Sequence, residues 1–188
     1  EFNGRVKDSI SFEDDDKVCN FHGTHVASLA AGMTYGASKN ATITSMHVMD
    51  CEGTGRLTNV LKALDWIYKN APKKSIINMS ISSSVTSNAW DDMIEEGFKL
   101  GHILVTSAGN SNKDACEYSP SSAKNVISVG SINKKIMKSS FSSWGTCVNI
   151  FAPGDHILGA SINQKNGENN GKSIATGTSM SSPIVAGV

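Results

Sequence analysis

The chain lacks an excess of charge, a long hydrophobic run and any metal-knuckle spacing of cysteines. Its 188 residues carry 17 Lys+Arg and 17 Asp+Glu. A balanced chain offers no electrostatic footprint for nucleic acid or for a membrane surface. No apolar run approaches the length that spans a bilayer. Cys19, Cys51, Cys116 and Cys147 form no C-x-x-C pair, which argues against a zinc knuckle. Four cysteines allow three disulfide pairings, and buried thiols are the alternative. Nor is there an internal repeat, a linker or a second composition block, so one domain is expected over residues 1–188.

What remains is ordinary globular material, 39% hydrophobic and 18% charged. Strand-like runs alternate with helical periods. Strands are expected over Ile43–Val48, Ile76–Ser80, Ile103–Ala108, Val126–Val129 and Val148–Phe151. Helices are expected over Gly23–Ala31 and Ala89–Leu100, the latter closed by Gly101. Another runs through Leu57, Val60, Leu61, Leu64 and Ile67 and is stopped by Pro72. Gly167–Lys172 reads as a polar turn. Alternation of this kind predicts an α/β fold, a mostly parallel sheet with helices on both faces. Functional residues then gather at the carboxyl ends of strands.

Three segments carry chemistry. Gly177-Thr178-Ser179 precedes an apolar run that reads as a helix. A hydroxyl at a helix start sits beside free N–H groups that favour developing negative charge, as a nucleophile needs, although Ser is also a common N-cap. His22, in Asn20-Phe21-His22-Gly23-Thr24-His25, can act as a general base near neutral pH. His22, His25 and Cys19 would make an incomplete metal set without the H-E-x-x-H spacing. Asn110 follows a buried strand and Gly109, where an amide N–H can aim at an oxyanion or simply occupy a turn.

His-Gly-Thr-His-Val-Ala, Ser-Ala-Gly-Asn-Ser and Gly-Thr-Ser-Met-Ser-Ser-Pro, in this order, resemble the subtilisin-like serine proteases. Ile77-Asn78-Met79-Ser80 and Phe151-Ala152-Pro153-Gly154 match as well, and the likeness runs from Glu1 to Val188. Glu1-Phe2-Asn3-Gly4-Arg5, Tyr118-Ser119-Pro120 and Ser139-Ser140-Phe141-Ser142 resemble the proteinase K-like branch. The resemblance implies a three-layer fold and a serine endopeptidase working through an acyl-enzyme, of broad specificity with an apolar preference. Ser179 would be the nucleophile and His22 the general base and acid. Asn110 and the Ser179 N–H would hold the oxyanion, with Thr178 in support.

The resemblance also implies a groove. Gly53-Thr54-Gly55 and Ser80-Ile81-Ser82 would pair with an extended peptide. Ser107-Ala108-Gly109 would wall the primary specificity pocket. Leu57 and Ile81 would line an outer apolar pocket or, equally, serve as core. The family usually has Gly where Ser82 stands, which alters the groove. By likeness to disulfide-bonded bacterial members, Cys19–Cys51 and Cys116–Cys147 bridges are expected, with a secreted or extracellular site or a secretory-pathway lumen. Calcium is implied as a structural ion near Lys124, Val126 and Asn149. Asn149 replaces the branch's carboxylate, so weaker binding or none is expected. No other cofactor is implied. Implied partners are protein or peptide substrates and the chain's own propeptide as inhibitor and chaperone of a zymogen, with a monomeric working form. Asn40-Ala41-Thr42 and Asn78-Met79-Ser80 both fit the glycosylation rule, the second in a buried setting.

The family's catalytic Asp, in an Asp-Ser/Thr-Gly strand end, precedes the His by roughly thirty residues. Here only 21 residues precede His22. Asp8-Ser9 lacks the Gly, the distance and a buried strand before it, and Asp14-Asp15-Asp16 reads as a solvated turn. The chain is therefore expected to be a partial catalytic domain, itself inactive or nearly so, with segments at both ends lying outside it. The alternative is a relative that binds extended peptides without cutting them.

Overall fold

The computed structural model describes residues 1–14, 20–162 and 171–188. Its core is a four-stranded parallel sheet in the order β3 (Ile76–Met79), β4 (Ile103–Ser107), β5 (Val126–Ile132) and β6 (Ile150–Pro153). Asn78 pairs with Val105, Val105 with Ile127, and Val129 with Ile150. Beside it lie a parallel pair, β1 (Val6–Ser11) with β2 (Ile43–His47), and an antiparallel pair, β7 (Ile157–Ser161) with β8 (Gly171–Ala175).

Strand alternation divides the core between two faces. Leu104, Ile77 and Met79 bury one side against α2 (Leu57–Asn70) and α3 (Asn88–Lys99), through Val60, Leu64, Trp90 and Ile94. Val105, Val129 and Ala152 bury the other against Val185 and Ala186 of α4 (Thr178–Ala186). Helix α1 (His22–Ala31) packs beside α4 and β7. Helices on both faces of a mostly parallel sheet thus follow from continuous apolar strands that must be covered twice.

The helices obey local rules. Helix α2 buries Val60, Ala63 and Leu64 one turn apart and stops at Ala71, before Pro72, whose ring disfavours helix at the preceding residue. In α3, Asp91 lies in the first turn and Lys99 in the last, as the helix dipole favours. Gly97 is required by packing, since a Cβ there would meet the Tyr68 hydroxyl at 2.5 Å.

Three strands are absent from the sequence expectation: β1, β7 and β8. Four of the six residues of β1 are exposed, and Ile174 of β8 is 63% exposed. Edge strands bathed in solvent carry little apolar signal. Strand β6 begins at Ile150 rather than Val148, because the Val148 N–H turns back to the Gly145 carbonyl at 3.1 Å. Asn40 lies exposed in a turn, whereas Asn78 gives its amide to Ser80 Oγ inside the fold.

Cys116 and Cys147 are bridged, 31 residues apart, as expected. No cysteine is free among the described residues, and the Cys19 half of the other expected bridge lies outside them. Closing a loop of this length removes about 3–4 kcal/mol of chain entropy from the unfolded state. Replacing Cys147 by Ala should therefore lower unfolding free energy by about 2–4 kcal/mol, read by denaturant titration. A change under about 0.5 kcal/mol would show that the bridge contributes nothing to folding.

Candidate active site

Helix α4 starts at Thr178, where two ties fix the Ser179 turn. Pro183 lies four residues after Ser179 and has no N–H, so the Ser179 carbonyl has no partner in the helix ladder. It accepts instead from Ser80 Oγ at 2.9 Å. Ser80 Oγ receives the Asn78 amide at 3.0 Å and pairs with the Ser182 hydroxyl at 2.9 Å, so its donor and both acceptor sites are used. The carboxyl end of β3 is thereby pinned to the nucleophile's own residue. Ser179 Oγ itself donates a long bond, 3.4 Å, to the Ser80 carbonyl.

The second tie sets Asn110. Its Oδ1 accepts both the Thr178 N–H and the Thr178 hydroxyl, each at 2.8 Å. Thr178 Oγ1 in turn receives the Gly109 N–H at 3.2 Å. Two donors on Oδ1 fix the amide orientation and leave Nδ2 as the free end. Gly177 lies close to that end. A Cβ on Gly177 would lie 3.3 Å from Asn110 Nδ2 and 3.7 Å from the Ser179 backbone N. The Asn110 Nδ2 donor and the Ser179 backbone N thus lie near one another at the start of α4, with Asn110 Oδ1 also 3.7 Å from that Cβ position. A pair of N–H donors placed so closely is of the kind that can hold an oxyanion.

His22 is the first residue of α1. Asn20 holds it: Asn20 Oδ1 accepts the His22 N–H at 2.9 Å while Nδ2 donates to the Cys51 carbonyl at 3.0 Å. Asn20 thus ties the helix start to the loop bearing Gly53. It was not singled out from the sequence, although an Asx residue just before a helix start is a capping signal. Ser80 and Asn78 likewise act as positioning residues beyond their reading as groove and motif. Burial lowers the His22 imidazole below its ordinary value, and the neighbouring His25 lowers it further. His25 is fully buried, with Nε2 bonded to the Ser173 carbonyl at 3.3 Å, a structural placement that leaves it poorly suited to a metal. Among the described residues no cluster of three His, Cys, Asp or Glu could hold a metal ion.

One cleft of about 1710 Å³ brings together His22, Ser179, Asn110, Gly53, Ser80, Ile81, Ser82, Ser107 and Gly109. Ile81 also packs on the core, while Leu57 is exposed at the first turn of α2 and Gly55 lies tight against the Val48 carbonyl. Ala108 is fully buried and gives its N–H to Val129. Among the described residues no hydrogen bond joins His22 to Ser179 or to a carboxylate. The unpaired edges of β2 and β3 both face this cleft. For calcium, the implied donors fit poorly: two backbone carbonyls and the Asn149 amide carry no formal charge, and Asn149 Oδ1 already accepts the Ser128 N–H at 2.8 Å.

The Subtilase family model matches residues 1–188. The chain is 39% identical to "Alkaline serine exoprotease A" of Vibrio alginolyticus, covering all of this chain and 34% of that protein. It is 38% identical to "Extracellular serine proteinase" of a Thermus species, again over all of this chain and 45% of the relative. It spans about a third to a half of the length of the curated relatives it matches. "Crystal structure of a cold adapted subtilisin-like serine proteinase" superposes with a TM-score of 0.90 at 38% identity, covering all of this chain and 67% of that one.

Buried His25 and half-buried His22 both favour the neutral form in the folded state. Their depressed folded values make stability complete above about pH 6.5, and part of it is lost as pH falls through the folded values below that. For residues 1–188, where no carboxylate bonds His22 among the described residues, the melting temperature should therefore decline between about pH 6.5 and pH 5, and His22→Gln should flatten the decline. An identical slope in the variant would remove His22 from this effect.

Proposed function

The chain belongs to the subtilase family, and we propose that it supplies the nucleophile, base and oxyanion donors of a serine endopeptidase. The observation that carries this reading is that one cleft holds His22, Asn110 and Ser179, with Thr178 occupying Asn110 Oδ1 so that its Nδ2 is left to donate. His22 removes the Ser179 proton as Oγ bonds to the peptide carbonyl carbon. The oxyanion settles on the two N–H donors, and His22 passes the proton to the leaving amine as the C–N bond breaks. Water then cleaves the acyl-enzyme by the same route, with His22 again as base.

Ser80–Ser82 and Gly53 flank an extended peptide, whose recognition is led by the backbone and is therefore broad. An apolar side chain packs against the bare face of Gly109. The carboxylate that orients His22 is supplied by a strand lying between the open edges of β2 and β3, from a segment beyond these residues. Residues 1–188 alone are accordingly inactive or nearly so; in this family loss of that Asp costs about 3 × 10⁴ in kcat. The working protein is a secreted monomer made as a zymogen. Secretion is supported by the relative described as extracellular and by the Cys116–Cys147 bridge. Among the described residues no helix is long and apolar enough to cross a membrane.

The second reading, a peptide binder that does not cut, draws on the bond from Ser179 Oγ to the Ser80 carbonyl rather than to His22. A fluorophosphonate probe separates the two. The full-length protein should be labelled at Ser179, and His22→Ala should abolish labelling. A folded protein with Ser179 intact and unlabelled would defeat the endopeptidase reading. Asn110→Asp keeps an acceptor for Thr178 but removes the donor. It should lower kcat by about 10²–10³, the family's own precedent, with melting within a few degrees of the parent.

A further inference from the structure

Beside Asn110 opens a pocket of about 270 Å³, walled by Ser82, Ser83, Ser84, Gly109, Tyr118 and Ser143. No residue lining it carries a charge. Gly109 presents no side chain to it, and a Cβ there would lie 3.1 Å from Ser143 Oγ. The Ser143 hydroxyl therefore stands directly behind the bare face of Gly109. That residue is fully buried, and its Oγ has no hydrogen-bond partner among the described residues. Its backbone is held in place: the N–H bonds to the Gly109 carbonyl at 3.0 Å and the carbonyl accepts from Ser142 Oγ at 3.0 Å.

A buried hydroxyl with both donor and acceptor unused is costly, and the cost is relieved by any partner that reaches it. A charged partner would lose its hydration in a pocket without counter-charge. A purely apolar one would seal the hydroxyl in unpaired. A side chain with an apolar body and a neutral polar tip suits both Gly109 and Ser143.

We infer that Ser143 is a specificity-determining residue, whose hydroxyl bonds the hydroxyl or carboxamide tip of the substrate side chain next to the attacked carbonyl. Tyr is thereby preferred to Phe, and Gln to Leu. The inference rests on the endopeptidase reading for the orientation of the peptide, and it narrows the apolar preference proposed there.

The test is binding to the full-length Ser179→Ala protein by calorimetry, with N-acetyl tetrapeptide acids ending in Tyr, Phe, Gln or Leu. Tyr should bind about ten-fold more tightly than Phe, the worth of one well-formed buried hydrogen bond. Ser143→Ala should bring the Tyr/Phe and Gln/Leu ratios to about one and leave Phe binding within about two-fold. Ser143→Cys, nearly isosteric and a weak hydrogen bonder, should do the same without opening a cavity, with the melting temperature checking its fold. A Tyr/Phe ratio near one in the Ser143 protein, or one unchanged in both variants, overturns the inference. Hydrolysis in the protein with Ser179 restored is read separately. Selective binding without cleavage overturns the endopeptidase reading alone, whereas cleavage with no Ser143-dependent ratio overturns this one alone.

Discussion

The site depends on how the first turn of α4 is docked onto the ends of β3 and β4. Asn110 Oδ1 takes the Thr178 N–H and hydroxyl, and Ser80 Oγ takes the carbonyl that Pro183 leaves without a partner. Each bond satisfies a group that a helix end or a proline would otherwise leave unpaired in a buried place. The same bonds aim the Asn110 amide, orient the Ser179 N–H and hold the nucleophile at the sheet edge. Structure and chemistry are inseparable here, because removing Asn110 Oδ1 would loosen the helix start as well as the donor beside it.

Close approach makes such docking workable. The α4 face of the sheet is lined with small hydroxyl residues as much as with hydrocarbon. Ser181 donates to the Ala152 carbonyl at 3.0 Å, and a Cβ on Gly154 would fall 2.2 Å from Ser181 Oγ and 2.6 Å from Ser131 Oγ. On the α1 side, Ser28 donates to the His25 carbonyl at 2.7 Å and accepts the Ala160 N–H at 3.0 Å, locking the helix that carries His22 to β7. Buried serines whose hydrogen bonds are satisfied act as short rigid ties, where larger apolar residues would hold the elements farther apart. Ser128 and Ser143 depart from this pattern, both buried with a hydroxyl that has no partner among the described residues, and of the two Ser143 lines the pocket beside Asn110.

Legibility followed burial. Strands β3, β4 and β5 are continuous apolar runs and could be read directly, since both faces are covered. Helices α2 and α3 showed their period and their stop signals, Pro72 and Gly101. Exposed β1 and β8 gave no comparable pattern. At the site, Ser179, His22 and Asn110 stood out through residue type next to Gly or a helix start. Asn20, Ser80 and Ser143 did not, because a polar residue on a short loop looks the same whether it spans two elements or faces water.

Local physics, acting within a few residues, was set by the sequence alone: the α/β alternation, the helix starting at Gly177-Thr178, and the fixed order of base, amide and nucleophile. Tertiary structure decided which lone pairs and N–H groups remained free. Asn110 Nδ2 is available because a residue 68 positions later occupies its Oδ1, and Ser80 Oγ is saturated by partners from α4, 99 and 102 residues away. Hydrogen-bond capacity is a property of a residue, but what remains unsatisfied depends on its neighbours in space. The Asn110 amide donor and the unpartnered Ser143 hydroxyl are both such remainders.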